Sequence, residues 1–229
     1  MEQPQKITAI TKQAHNANRV NIFVNGRFAL ALGLTQVVDE KLRVGLALDQ
    51  ARLAELEQQG VFDKYYQRAL IYALTRPRSE KEIRDYLRKK TAPVMKRIQN
   101  RDGDYEIVTK SGMNSKLIEP IIEKLKTKKY LDDYQFARFW AENRNLKKGI
   151  SVYQLRQELL KKGISNAIID DILTTSTRTD VNEIRKIIAK KRTKYDDQKL
   201  IAYLVQKGFD YATVLDSVRT DSANPDFDP

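Results

Sequence analysis

The chain of 229 residues contains no cysteine, a single histidine and a single tryptophan. Without cysteine there is no disulfide framework and no thiolate metal site, and the expected compartment is a reducing one, the cytoplasm. The only histidine, His15, lies in a polar stretch beside Asn16 and Asn18. No second titratable partner is close to it in sequence, so neither a general base nor a metal ligand is read from it. Long apolar runs are also missing. The longest, Phe28 to Leu34, is far too short to cross a bilayer, and the start Met1-Glu-Gln-Pro-Gln-Lys6 lacks the basic-then-apolar layout of a signal peptide. No glycine-rich phosphate loop of the Walker type occurs, since Lys147-Lys-Gly-Ile-Ser151 has neither the preceding glycine nor the Gly-Lys-Ser/Thr order. The expectation is a non-enzymatic protein with no cofactor, no metal and no membrane contact, acting as a monomer.

What the chain does have is positive charge, +12 in total. Its distribution is uneven. Residues 1–60 carry 7 Lys/Arg against 6 Asp/Glu, and residues 179–229 carry 9 of each. Residues 61–113 carry 13 against 7, and 114–178 carry 13 against 8, so nearly all the excess lies in the middle of the chain. A basic surface of that kind draws polyanions by counterion release and long-range steering, although a solvated, solubilising surface accounts for the same charge.

The N-terminal segment reads as a small sheet. Ile7 to Ile10 and Arg19 to Val24 are β-rich, and Asn25-Gly26 separates Val24 from Arg27 to Leu30. Asn-Gly between such runs is a strong hairpin signal, because a type I′ turn needs positive φ at both central positions. Val37 to Val44 supplies a further short strand or helix, and Asp49 to Gln59 reads as a helix stopped by Gly60. Beyond it the hydrophobic period changes from two to about 3.6. Tyr66, Ala69, Leu70, Ala73 and Leu74 form one helical stripe, ended by Pro77.

A segment then recurs. Ser79 to Lys89, Ser151 to Ile164 and Asp196 to Phe209 share one layout: a capping residue, a leucine-bearing stripe and, in the last two, a Lys-Gly stop. Leu159 and Leu204 are 45 residues apart, and Leu87 fits a similar period if 91–113 is an insertion. Ser79 with Glu82 and Ser151 with Gln154 have capping-box spacing, and Asp132 caps with Gln135. Tyr105 to Val108 within the insertion is a candidate strand, and Pro120 blurs the start of the next helix. Phe136, Phe139, Trp140 and Asn143 mark one face, and Phe136, Trp140, Leu155 and Leu159 are assigned to the core. Repetition at this period means one supersecondary unit, unable to bury its stripe alone, used several times.

The expected fold is therefore mainly α: three tandem three-helix repeats in an elongated array, preceded by a small N-terminal β-containing domain. The boundaries are 1–60 for the β-rich domain with its closing helix, then 61–130 with the insertion 91–113, 131–178 and 179–219, followed by a disordered tail, 220–229.

Candidate chemistry is mostly cationic. The doublets Asp132-Asp133, Asp170-Asp171 and Asp196-Asp197 have the look of two-metal nuclease ligands, but capping and solvation explain them more simply. Arg76 and Arg78 precede the capped helix at Ser79, and Arg84 lies on it; Arg144, Lys147 and Lys148 precede the cap at Ser151, with Arg156, Lys161 and Lys162 beyond. A basic turn leading into a helix offers an anion both cations and N–H groups. Tyr65, Tyr130, Tyr134 and Tyr153 fall near element ends, where an interface role is open.

Tyr130-Leu-Asp-Asp-Tyr-Gln-Phe-Ala-Arg138, then Lys148-Gly149 and Leu155 to Ile164, resemble the signature of the RecX family, bacterial regulators of the RecA recombinase. Ala69 to Arg76 and Ser79 to Leu87 fit that family's first unit, and the segments around Ile7, Arg19 and Asn25 are similar to the extra segment of its longer members. The likeness is good over 64–174 and looser over 180–219. The long insertion and Asp196 in place of a capping serine depart from it. The resemblance implies a modulator that binds the RecA filament along its groove and inhibits strand exchange and ATP hydrolysis, with a role in recombination, DNA repair and the SOS response. The contact candidates become Arg76, Arg78, Arg84, Arg138, Arg144, Lys147, Lys148, Arg156, Lys161 and Lys162, with Ser79, Asp132 and Ser151 as caps. The alternative is a stand-alone binder of single- or double-stranded DNA using the basic helices.

Overall fold

The computed structural model describes residues 5–14, 16–99 and 104–223. His15, residues 100–103 of the insertion and residues 224–229 lie outside the described residues, whereas 220–223 of the expected tail are helical. Two compact units divide the chain, Met1–Arg76 with Ile83–Leu131 and Pro77–Glu82 with Asp132–Pro229.

The first unit opens with a four-stranded antiparallel sheet. Strands β1 (Gln5–Gln13), β2 (Asn16–Val24), β3 (Arg27–Gly33) and β4 (Ala47–Leu48) lie in the order β3-β2-β1-β4. Asn25 and Gly26 have φ of 50° and 79°, the paired left-handed residues that a type I′ turn requires. Alternation buries Val20, Ile22 and Val24 from β2 and Leu30 and Leu32 from β3. Helices α1 (Leu34–Asp39) and α2 (Gln50–Leu74) follow, and Val37 and Leu56 join this core. Of the expected segment Val37 to Val44, only Val37 to Asp39 are helical, as the end of α1, and the rest is turn and loop.

Helix α2 does not stop at Gly60. It runs unbroken for 25 residues. The glycine is there for contact: a Cβ at residue 60 would stand 2.5 Å from the Ala31 carbonyl oxygen and 2.9 Å from a Leu32 methyl, so only glycine lets α2 lie this close to β3. The guanidinium of Arg19 locks the same place, donating to the carbonyls of Ala31 (2.8 Å) and Gly60 (3.2 Å) and pairing with Asp63.

The second half of α2 belongs to another core. Tyr65, Tyr66, Ala69 and Ala73 pack with Ile83 and Leu87 of α3 (Glu80–Arg88) and with Ile118, Ile121, Ile122 and Leu125 of α4 (Ile118–Thr127). Leu74, expected in the stripe, is exposed; the two alanines line it instead. Pro120 is harmless because it occupies the first turn of α4, where its missing N–H has no carbonyl to meet. Between α3 and α4 the insertion forms a hairpin, β5 (Val94–Gln99) paired antiparallel with β6 (Tyr105–Lys110).

The second unit takes in the start of α3 and the helices α5 (Asp133–Asn143), α6 (Val152–Lys161) and α7 (Asn166–Thr175), then α8 (Asp180–Lys191), α9 (Asp197–Gln206) and α10 (Tyr211–Ala223). Phe136, Ala137, Ala141, Leu155, Leu159, Ile169 and Ile172 form one core, with Trp140 partly buried against it. Ile184, Ile188, Leu200, Leu204, Val214 and Val218 belong to the next. Phe139 is exposed, since the buried face of α5 is filled out by Ala137 and Ala141 rather than by a second phenylalanine. The fold is mainly α, a small β-containing N-terminal region followed by three-helix repeats α2–α4, α5–α7 and α8–α10.

Candidate functional site

Within the second unit the start of α3 and the start of α6 are built the same way. Ser79 and Ser151, both fully buried, accept from the N–H groups of Glu82 (3.2 Å) and Gln154 (3.1 Å). A carboxylate from the following repeat then reaches each helix start. Asp133 accepts from the N–H of Glu80 at 2.7 Å, and Asp180 from that of Val152 at 2.8 Å. A left-handed glycine closes each joint. Gly163 (φ 83°) abuts Lys81 and Gly208 (φ 81°) abuts Ser151 and Tyr153, so close that a Cβ would fall 2.8 Å and 2.7 Å from side-chain carbons.

These contacts answer the anion-site idea at the two helix starts. N–H groups there are held by Asp133 and Asp180, protein carboxylates standing where a bound anion would sit. The positive end of each helix dipole thus faces a carboxylate of the protein itself.

The cations sort by their neighbours. Arg76 and Arg78 lie in the α2–α3 link, Arg76 exposed and Arg78 half-buried, both with polar or electrostatic neighbours. Arg84 pairs with Glu119 at 2.7 Å, Arg138 with Glu142 at 2.9 Å on its own helix, and Arg156 with Asp170. Arg144 grips both oxygens of Glu158, at 2.7 and 2.9 Å, and Glu158 also accepts from the Trp140 indole at 2.9 Å. Lys162 pairs with Glu82 at 2.6 Å and stands 5.0 Å from the centre of the Trp140 ring, with Arg144 at 5.2 Å. Burial pushes the Glu158 carboxyl up, but the hydrogen bonds from Arg144 and Trp140 outweigh it and hold it below its ordinary range. Arg144 and Lys162 are thus gathered around one tryptophan. Lys147 and Lys148 in the α5–α6 loop and Lys161 at the end of α6 are exposed, with no ion pair among the described residues.

The aspartate doublets serve the backbone and neighbouring side chains. Asp132 caps α5 through the N–H groups of Tyr134 and Gln135, Asp171 accepts from the Tyr134 hydroxyl at 2.8 Å, Asp196 caps α9 and Asp197 pairs with Arg192. Among the described residues no three His, Asp or Glu side chains gather as metal ligands, and no helix is long and apolar enough to cross a membrane. Tyr65 is buried within α2, whereas Tyr130, Tyr134 and Tyr153 are exposed.

Sequence reasoning missed a buried ion pair. Glu183, 1% exposed, accepts from Arg178 (2.7 and 3.0 Å), Lys186 (2.8 Å) and the Ile150 N–H (3.1 Å). Arg178 also donates to the carbonyls of Ala141 and Arg144 at 2.8 and 2.7 Å. Burial raises the Glu183 carboxyl, and the bonds from Arg178 and Lys186 more than reverse it, so the group stays ionised. No local motif announces this network. Asp133 and Asp180 did leave a signal: each directly follows a helix cap, one repeat period apart.

The fold and these joints can be set beside known proteins. Residues 5–49 match the family model described as the regulatory protein RecX N-terminal domain, and residues 132–173 match RecX, second three-helix domain. The chain is similar to the regulatory protein RecX of Bacillus licheniformis, 30% identical over 229 residues, which covers 96% of this chain and 79% of that protein. The RecX of Listeria monocytogenes serotype 4b is 28% identical over 97% of this chain and 77% of its own length. A crystal structure of a regulatory protein RecX superposes with a TM-score of 0.66 at 23% identity, covering 94% of this chain and 99% of that one. The RecX structure from Lactobacillus salivarius gives 0.52 at 20% identity over 71% of this chain.

Proposed function

The chain belongs to the RecX family of regulatory proteins, and from that premise we propose that it binds the RecA nucleoprotein filament and restrains its strand exchange and ATP hydrolysis without chemistry of its own. The observation that carries this reading is the joint used twice, at the starts of α3 and α6, where the same serine cap, aspartate and glycine recur. The units are taken as 61–130, 131–178 and 179–219, after the N-terminal domain of residues 1–60 and before the tail 220–229. Linked units of modest individual strength gain through effective concentration, so no single contact has to be tight. Of the ten contact candidates, the exposed Lys147, Lys148 and Lys161 are the best placed to meet an acidic partner, because no carboxylate among the described residues pairs with them. A monomer at work in the cytoplasm, in recombination, DNA repair and the SOS response, fits this role.

The test is a titration of the pure protein against RecA filaments on single-stranded DNA, read by ATPase and strand exchange. Inhibition well below one molecule per RecA protomer is expected; no effect at filament-saturating concentration overturns the reading. The charge on 61–178 also favours a second reading, direct DNA binding. That reading requires tight binding to duplex without RecA, with log affinity falling by about 0.9 per contacted phosphate for each tenfold rise in salt.

A further inference from the structure

The hairpin β5–β6 is the one element pair of the first unit whose described side chains join neither of that unit's cores. Val94, Met95, Tyr105, Ile107 and Val108 are all exposed, Met95 to 75% and Ile107 to 68%. A two-stranded hairpin without a packed face is marginal in water, so this concentration of bare apolar side chains calls for a partner.

The register shows what that partner must offer. Met95 is opposite Thr109, Arg97 opposite Ile107, and Tyr105 lies two residues before Ile107, so these five share one face. The Arg97 guanidinium lies 4.1 Å from the centre of the Tyr105 ring. Methionine, tyrosine and arginine are the residues enriched at the centres of protein interfaces, whereas lysine and carboxylates are depleted there. Of these five, none is lysine, aspartate or glutamate. A ribbon meant for nucleic acid would turn several cations, not three apolar groups and one arginine, toward its ligand. A second copy of this chain is disfavoured by charge, since residues 88–113 carry seven Lys/Arg against three Asp/Glu on a chain already at +12.

The hairpin is also anchored at its root. The Met113 N–H donates to the Lys90 carbonyl at 2.7 Å, and Gly112 lies so close to the Thr91 carbonyl that no Cβ fits between them. The two ends of the insertion are therefore held together without help from the strands beyond.

We infer that the Met95–Arg97–Tyr105–Ile107 face of this hairpin is a protein-docking face that takes an apolar groove with an acidic rim on the RecA filament. The inference rests on the filament-binding reading above. The test places the photoreactive amino acid p-benzoylphenylalanine at Met95 or, on the opposite face, at Val108, in the full chain bound to RecA–single-strand filaments. Crosslinks to RecA from position 95 and not from 108 are expected. In parallel, a Met95→Ser, Tyr105→Ser, Ile107→Ser variant and a variant joining Thr91 to Gly112 by a short turn should each bind filaments at least about tenfold more weakly in co-sedimentation. Crosslinks from position 95 to DNA or to a second copy overturn the inference, as does undiminished binding by both variants. If the unaltered chain does not bind filaments at all, the filament-binding reading itself falls, and this inference with it.

Discussion

The joint at the start of α3 and the joint at the start of α6 share a buried serine cap, a borrowed aspartate and a left-handed glycine, yet they are reinforced differently. At α3 the added tie is Lys162–Glu82, a pair whose lysine side chain is 29% exposed. At α6 it is the Ser151 hydroxyl donating to the Lys207 carbonyl at 2.7 Å, with the Arg178–Glu183 network beside it. The same backbone plan thus carries one joint whose added ion pair is partly wetted and another whose Arg178–Glu183 pair is nearly closed to solvent. The contrast teaches that a repeat fixes where neighbours meet, while burial decides how firmly.

The contrast can be broken most forcefully at Glu183. Glu183→Ala leaves Arg178 buried without its carboxylate and should cost about 3–5 kcal/mol of unfolding free energy by urea titration. Glu82→Ala, at the wetter joint, should cost at most about 1 kcal/mol, and less in high salt. Equal losses for the two would erase the distinction. Next come the glycines. Gly208→Ala and Gly163→Ala each force a Cβ into the neighbouring repeat at positive φ, and about 1–3 kcal/mol is expected from thermal or urea melts of each. Smaller still are the borrowed aspartates: Asp180→Ala and Asp133→Ala should each lose about 1 kcal/mol, as for a helix cap. Acid should separate the joints too. The folded Glu183 carboxyl lies below its ordinary value, so its contribution is complete above that value and fades as pH falls through the folded one. Urea midpoints measured from neutral pH downward should therefore fall less steeply for Glu183→Gln than for the unaltered chain.

Much of this plan was legible in the residues. Ser79, Asp132 and Ser151 cap as their spacing implied, because a cap and the N–H groups it holds lie within four residues. Asn25-Gly26 turns as expected for the same reason of range. The failures were contacts distant in sequence. Gly60 looked like a stop because its true constraint, the Ala31 carbonyl, comes from another element. Phe139 was placed on one face with Phe136 and Trp140, but Ala137 and Ala141 fill the buried side and leave it exposed. The cations were no easier: Arg144, Arg156 and Lys162 were read as contact candidates, and only the fold brings Glu158, Asp170 and Glu82 against them.

The unbroken course of α2 has a practical edge for anyone trimming this protein. A helix of 25 residues is a rod of about 37 Å, and its two halves are sunk in different cores. Cutting at residue 60 would saw through the rod at its tightest weld to the sheet, fraying the stump that carries Tyr65 and Tyr66. A shortened chain meant to keep its helical repeats intact should begin at Asp49, where the helix has its own cap, and carry polar replacements for Leu53 and Leu56.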